Sequence, residues 1–379
     1  MIPALENGET LFSWGARTRL ILGLSARQFS LKYFGTTRAG RLHEFPPKFQ
    51  RFVEVVGNDF TSIEELIRYR SPFGAYLPFC SKGRVSSVVD AFRRGNLFRA
   101  TSLLGLNTNK LGRNHPLRYC VNCAEDDLKS HGYARWQANH QLPGTWVCLA
   151  HRSRLLQIEK VDHPWQMPLE ETHKTSQPLP PVTEALLVCA ATCVAITRCG
   201  HVDAKFISDA AISRLVMRGV IENPKRINAL TLFDSFCQSQ IATELALVEP
   251  NSHALRSNAW IHFFLKDYTA GHPLKAALIW AWVTQGDTWD TALTRFAEAI
   301  TDKDGRTSGV QLGLWPMNQD PGYSHFLERL EKAMPTCDTE EALAQQLGVF
   351  ATVIRRWLRD FPQLRDTWKK MRLTANAER

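Results

Sequence analysis

RYCVNCAEDDLKSHGYARWQANHQLPGTWVCLAHRSRL, running from Arg118 to Leu155, is the stretch on which the reading of this chain turns. It holds three of the 9 cysteines and one histidine in two tight pairs, Cys120-x2-Cys123 and Cys148-x2-His151, separated by 24 residues. A two-residue gap lets both side chains of a pair turn toward one point. Two such pairs supply the four sulfur and nitrogen donors of a tetrahedral zinc site. Four protein donors leave no open position for water or substrate, so the spacing predicts structural zinc rather than a catalytic metal. Pro143-Gly144, between the pairs, is a turn signal.

Outward from this stretch, the 379 residues suffice for two or three domains with real cores. A hydrophobic share of 44% and a charged share of 22% are ordinary for a folded soluble protein. The N-terminal MIPALENGET has no basic region followed by an apolar one, so no secretory signal is expected. The longest apolar runs, around Ala185–Ile196 and Ala276–Val283, fall short of the roughly 20 residues that span a bilayer. An odd number of cysteines, mostly scattered on apolar stretches, does not make a disulfide scaffold. A reducing cytoplasm and no membrane partner are the expectation.

The formal charge of +9 is unevenly spread. Residues 1–155 carry 22 Lys and Arg against 11 Asp and Glu, whereas the remainder carries 24 against 26. A basic N-terminal half suits a polyanionic partner, nucleic acid foremost, because Lys and Arg make most phosphate contacts. The plainer alternative is a solvated basic surface.

Periodicity is helical almost throughout; together with the metal stretch and the C-terminal pattern below, the expectation is a mostly α, multi-domain protein with a structural zinc-finger module and helix-turn-helix DNA-binding elements. Leu11–Leu22 reads as one helix and Ala26–Tyr33, capped by Ser25, as the next. Thr61 or Ser62 starts another helix, with Glu64 and Glu65 in its first turn, and Ser86–Leu97 reads as a further one. Ile158–Thr183, polar and rich in proline, reads as a linker. Beyond it come Glu184–Thr197, Ser208–Arg218, Ala229–Leu247, Pro273–Val283 and Asp290–Ile300. The expected domains are 1–110 helical and helix-turn-helix-like, 111–157 zinc module, 158–183 linker, 184–330 helical, and 331–379 a C-terminal helix-turn-helix.

In that last region, EEALAQQLGVFATVIRRWLRDF (Glu340–Phe361) places Leu343, Leu347, Val349, Ile354 and Trp357 where a helix-turn-helix buries its side chains. Ala344 suits the helix crossing, and Gly348 suits a turn with positive φ. A recognition helix over Phe350–Arg359 would present Thr352, Arg355, Arg356 and Arg359 to DNA, with Lys369 and Lys370 extending the basic surface. The alternative is a helical hairpin with a solvated arginine face. Cys189, Cys193 and Cys199 with His201 could suggest a second metal site, but they begin on an apolar helix and read as core. His272-Pro273 reads as a helix start.

No nucleophile–base pairing, P-loop or H-E-x-x-H motif occurs, and GNLFRATSLLG lacks a preceding strand and a Walker lysine. A non-enzyme is expected. A zinc hydrolase is disfavoured by the closed ligand set, and a zinc-containing transcription regulator is the plain alternative function.

The metal stretch resembles the TniQ/TnsD family, the target-selection proteins of transposons of the Tn-seven type. The resemblance is carried by Cys120, Cys123, Gly132-Tyr133, Trp136, His140-Gln141-Leu142-Pro143-Gly144, Cys148, His151 and Leu155. SPFGAYLPFC (Ser71–Cys80) is similar to the segment before the finger, and HPLKAALIWAW (His272–Trp282) and WLRDFPQLRDTW (Trp357–Trp368) are similar to later family segments. One position departs: the family's first pair is usually C-P-x-C, and Val121 stands where proline would. The resemblance implies a non-catalytic adaptor that binds a target DNA site and recruits a TnsC-like AAA+ ATPase. Its guide-RNA variant would bind a CRISPR effector complex of the Cascade type instead. The oligomeric state stays open, with a homodimer as one option.

Overall fold

The computed structural model describes residues 3–56, 62–107, 115–158, 164–169, 180–223, 227–249, 252, 256–266, 271–300, 332–337 and 339–347, together with Ile354, Leu358, Arg365, Asp366 and Trp368. The chain is mostly helical, with strand confined to two short two-stranded sheets among the described residues. It divides into two compact units, Met1–Leu312 and Gly313–Arg379.

The first unit opens on α1 (Leu11–Ile21), whose cap Thr10 accepts a hydrogen bond from the Ser13 amide. Ser25 and Gln28 form a reciprocal capping box at the start of α2 (Ala26–Phe34), and Gly35, at φ +63°, ends it. α3 (Phe49–Val56) follows, then α4 (Ile63–Arg70), which Ser62 and Glu65 cap in the same reciprocal way. A 3₁₀ segment over Pro72–Phe79 leads to α5 (Lys82–Arg93) and α6 (Leu97–Leu103). The single helix expected over Ser86–Leu97 is instead the end of α5, a turn and the start of α6. Gly95, at φ +70°, makes that break.

The proline-rich stretch read as a linker holds a core residue. Trp165 is fully buried, stacked on Phe12 (5.4 Å) and Phe34 (5.3 Å) and edge-on to Phe29 (5.1 Å). Its indole N–H donates to Ser30 Oγ at 2.7 Å. A β-carbon added at Gly15 or Gly40 would lie 2.4 or 2.5 Å from the indole, so both glycines make room for it. An isolated tryptophan between prolines has no periodicity, which is why the sequence pattern hides this anchor.

Past it, α8 (Glu184–Arg198) is buried on every side from Ala185 to Thr197, as expected of a helix that is apolar all round. α9 (Ala204–Met217), α10 (Ala229–Cys237), α11 (Gln240–Val248), α12 (Ala259–Lys266), α13 (Pro273–Val283) and α14 (Trp289–Ala299) complete the layer. α8 packs against α13, α14, α11 and the 72–79 segment. The expected Ala229–Leu247 helix is two, because Ser239 accepts from the Ala242 amide at 3.3 Å and caps a new start.

In the second unit, Met334–Thr336 forms a 3₁₀ turn and α15 (Glu340–Leu347) follows. Leu343, Ala344, Ile354 and Leu358 are buried. The Trp368 indole donates to the carbonyls of Met334 (3.1 Å) and Cys337 (3.2 Å). Gly348, Val349, Trp357, Thr352, Arg355, Arg356, Arg359, Lys369 and Lys370 lie outside the described residues.

Candidate metal centre

β1 (Leu117–Tyr119) pairs antiparallel with β4 (Leu156–Ile158), closing both ends of the metal stretch onto each other. Between them run α7 (Val121–His131), a 3₁₀ turn over Ala138–Gln141, and the hairpin of β2 (Val147–Cys148) with β3 (Ser153–Arg154). Cys120 is the cap of α7 and Cys123 its third helical residue, so both face one side of the first turn. Cys148 ends β2, and His151 sits in the hairpin turn beside Arg152, whose φ of +47° reverses the chain. Val121 takes the first helical position, where proline is favoured but not required, and the helix forms without it.

The ligand atoms of Cys120, Cys123, Cys148 and His151 all lie within 4.8 Å of one another. His151 Nδ1 is 3.6, 3.2 and 3.6 Å from the sulfurs of Cys120, Cys123 and Cys148, and Cys123 and Cys148 are 3.6 Å apart through their sulfurs. A tetrahedron with metal–sulfur bonds of about 2.3 Å and a metal–nitrogen bond of about 2.0–2.1 Å has edges of this length, so the donor set fits zinc. It is the one such cluster among the described residues.

Thiols this close compete for protons. Hydrogen bonds from Cys123 and Cys148 hold the Cys120 thiol well below its usual range. In return, the bond to Cys120 pushes Cys123 far up and Cys148 up to about 12. A divalent cation relieves that conflict by stabilising every thiolate at once. Two residues that spacing rules did not single out complete the surroundings. Asp126 Oδ2 lies 3.1 Å from His151 Nε2 and orients the ring with Nδ1 toward the sulfurs. Ser153 Oγ lies 3.2 Å from Cys120 Sγ, placed to donate to the thiolate. The signal for Asp126 was present, since it stands three residues after Cys123 on one face of α7.

The remaining motif residues hold the module in place. The Gln141 side chain donates to the Arg118 carbonyl at 2.7 Å and accepts from the Arg118 amide at 2.9 Å, pairing with β1 as a third strand would. Gly144, at φ +81°, lies so close to α8 and α13 that an added β-carbon would meet Cys193 Sγ at 2.9 Å and Leu274 at 3.1 Å. The Trp136 indole donates to the Gln166 carbonyl at 2.8 Å. His140 is buried, its Nδ1 has no hydrogen-bond partner among the described residues, and burial pushes its pKa down to about 4. Cys189, Cys193 and Cys199 are buried in the core while His201 is exposed, and they form no metal-binding cluster. Burial pushes the Cys199 thiol up to about 12, as for an inert core thiol.

Buried charges join the module to the N-terminal segment. Arg135 pairs with Asp127 and with Glu6 (2.8 Å), and Arg17 pairs with Glu9 (2.8 Å) and lies 5.2 Å over the Tyr133 ring. Burial works against the Glu6 carboxylate, but the Tyr133 hydroxyl, Arg17 and Arg135 outweigh it and leave its pKa lowered.

The family model described as TniQ matches residues 1–155, which span the N-terminal helices and all four candidate metal donors. A search of curated proteins finds no match to the chain. No helix among the described residues is long and apolar enough to cross a membrane.

Proposed function

We propose that this chain is a non-catalytic adaptor of DNA transposition that selects a target site and recruits the AAA+ ATPase that licenses integration. The observation that carries the reading is the TniQ match over residues 1–155 falling on a compact metal-donor module. In this reading Cys120, Cys123, Cys148 and His151 hold one zinc ion, which supplies a rigid crosslink rather than a Lewis acid. The chain's own residues do the rest. Gln141 ties the 138–141 turn to β1 within the module, Gly144 seats the module against the α8–α13 pair, and the Arg135–Glu6 ion pair and the Arg17–Tyr133 contact join it to the N-terminal segment. One surface is then presented as a unit.

DNA contact is assigned to the C-terminal region through Thr352, Arg355, Arg356, Arg359, Lys369 and Lys370, on the strength of the helix-turn-helix pattern in the sequence. An arginine bound bidentately to guanine contributes about 1–3 kcal/mol of discrimination, whereas a lysine on phosphate adds sequence-independent affinity. The Arg355→Ala/Arg356→Ala double variant therefore loses preference for the target duplex over a scrambled one. Lys369→Ala loses both equally and lowers the salt slope by about one.

The test is retention of the AAA+ ATPase of its own transposon by the purified full chain, with and without target duplex. Retention by the chain supports the adaptor. DNA binding without retention of the ATPase points to a transcription regulator. Retention that needs a guide-RNA effector complex instead of a duplex points to RNA-guided targeting.

A further inference from the structure

Phe98 is the most exposed large hydrophobic residue among those described, at 78%. Exposed apolar residues are common singly and mean little alone. The surroundings of Phe98 are what give it weight. α6 turns Ala100 into the core and packs Leu97 and Leu103 against it, so Phe98, Arg99 and Ser102 fall on the solvent face. The backbone beneath is pinned, because the Phe98 carbonyl accepts from Thr101 Oγ1 (3.0 Å) and from Asn107 Nδ2 (3.4 Å). The ring is thus held out on a fixed base.

Cations flank it along the chain. Arg93 and Arg94 end α5, Arg99 follows Phe98, and all three are exposed. The turn at Gly95 presses on a separate segment: a β-carbon there would meet the Lys48 amide nitrogen at 2.9 Å and its α-carbon at 3.1 Å. That contact sets exposed Lys48 beside the α5–α6 turn. Asp90 on α5 is engaged with Arg94 (3.1 Å), and Glu54 on α3 with Arg51 (3.5 Å). Among the described residues, Arg93, Arg99 and Lys48 make no ion pair.

We infer that the α5–α6 corner is a second nucleic-acid contact, in which Arg93, Arg99 and Lys48 hold the phosphates of a DNA duplex and Phe98 wedges against a base step. It rests on the DNA-binding reading above, but on different residues. A net-positive surface matches the charge of a polyanion rather than that of an apolar protein groove. An aromatic side chain amid arginines is the pairing that unstacks bases at minor-groove kinks, where an apolar wedge enters one step and cations grip the flanking backbone. The contact needs no sequence readout, so it adds affinity and bend at whatever site another region selects.

The experiment uses the full chain and mixed-sequence duplexes about three helical turns long, carrying 2-aminopurine at single positions, at about 50 mM salt. Wild type is expected to bind and to raise the fluorescence as bases unstack. Phe98→Ala should abolish the rise while binding weakens by no more than the loss of one stacking contact, and Phe98→Trp should restore it. Arg93→Gln with Arg99→Gln should weaken binding about tenfold and reduce the salt slope by about two. Phe98 is exposed, so melting should not change.

If wild type binds and both variants match it, DNA lies elsewhere and this inference fails alone. If Phe98→Ala keeps DNA binding and unstacking but loses the ATPase, the corner is a protein interface and the inference is overturned. If wild type binds no duplex even at low salt, the DNA-binding reading itself fails.

Discussion

The metal module and the α8–α13 pair touch, yet they are held together by different physics. α8 and α13 bury nearly every side chain, and apolar packing suffices for them. The stretch from Leu117 to Ile158 has two sheets of two or three residues per strand, too little ladder to stand alone. Beside the buried Tyr119, Trp136, Trp146 and Val147, its cohesion draws on the four converging donors, the Gln141 clamp and the buried Arg135 ion pairs. One region should therefore respond to cavities and the other to chelation and loss of single polar partners.

Cys148→Ser should have the largest effect, since in the proposed zinc reading it removes a donor on which metal binding and local folding depend together. The expected outcome is loss of bound zinc and of order across 117–158, read by metal analysis and hydrogen exchange. Cys189→Ser, in the apolar layer, should leave zinc content unchanged.

Trp165→Ala comes next. It empties a site bounded by Phe12, Phe29 and Phe34 and leaves Ser30 Oγ without its indole donor. A loss of about 3–5 kcal/mol is expected in denaturant unfolding, with zinc still bound. Zinc loss in this variant would show that the module also depends on the apolar core around α1 and α2.

Gln141→Ala should cost about 1–3 kcal/mol, because it strands the Arg118 amide and carbonyl in a buried place. Its effect should concentrate in the module, as faster amide exchange at β1 while α8 stays protected.

Near neutral pH the smallest effect is a pH dependence. Burial lowers the folded-state pKa of His140 from 6.5 to about 4. The unfolded chain therefore takes up a proton that the folded chain refuses, and stability falls as pH drops from about 6.5 toward 4. His140→Gln should flatten that part of the profile, measured with zinc in excess. An unchanged slope would assign it to other groups.

How much of this was legible in the sequence follows the same division. The donor pairs were legible because zinc demands residue types at fixed gaps. Helix starts at Ser25 and Ser62 were legible because capping is local. Trp165 was not, since its partners come from α1, α2 and the 39–41 turn, remote in sequence. The breaks at Gly95 and Ser239 were passed over because the apolar period runs on across them. Gln141 and Gly144 stood out within the family-like motif, but their work, on the β1 backbone and against Cys193, depends on tertiary placement.

The most direct test of the account is hydrogen exchange of the full chain before and after chelation, paired with metal analysis. One zinc per chain is expected, and its removal should strip protection from 117–158 while α8 and α13 keep theirs. A chain that purifies without zinc, or a module whose protection survives chelation, would contradict it.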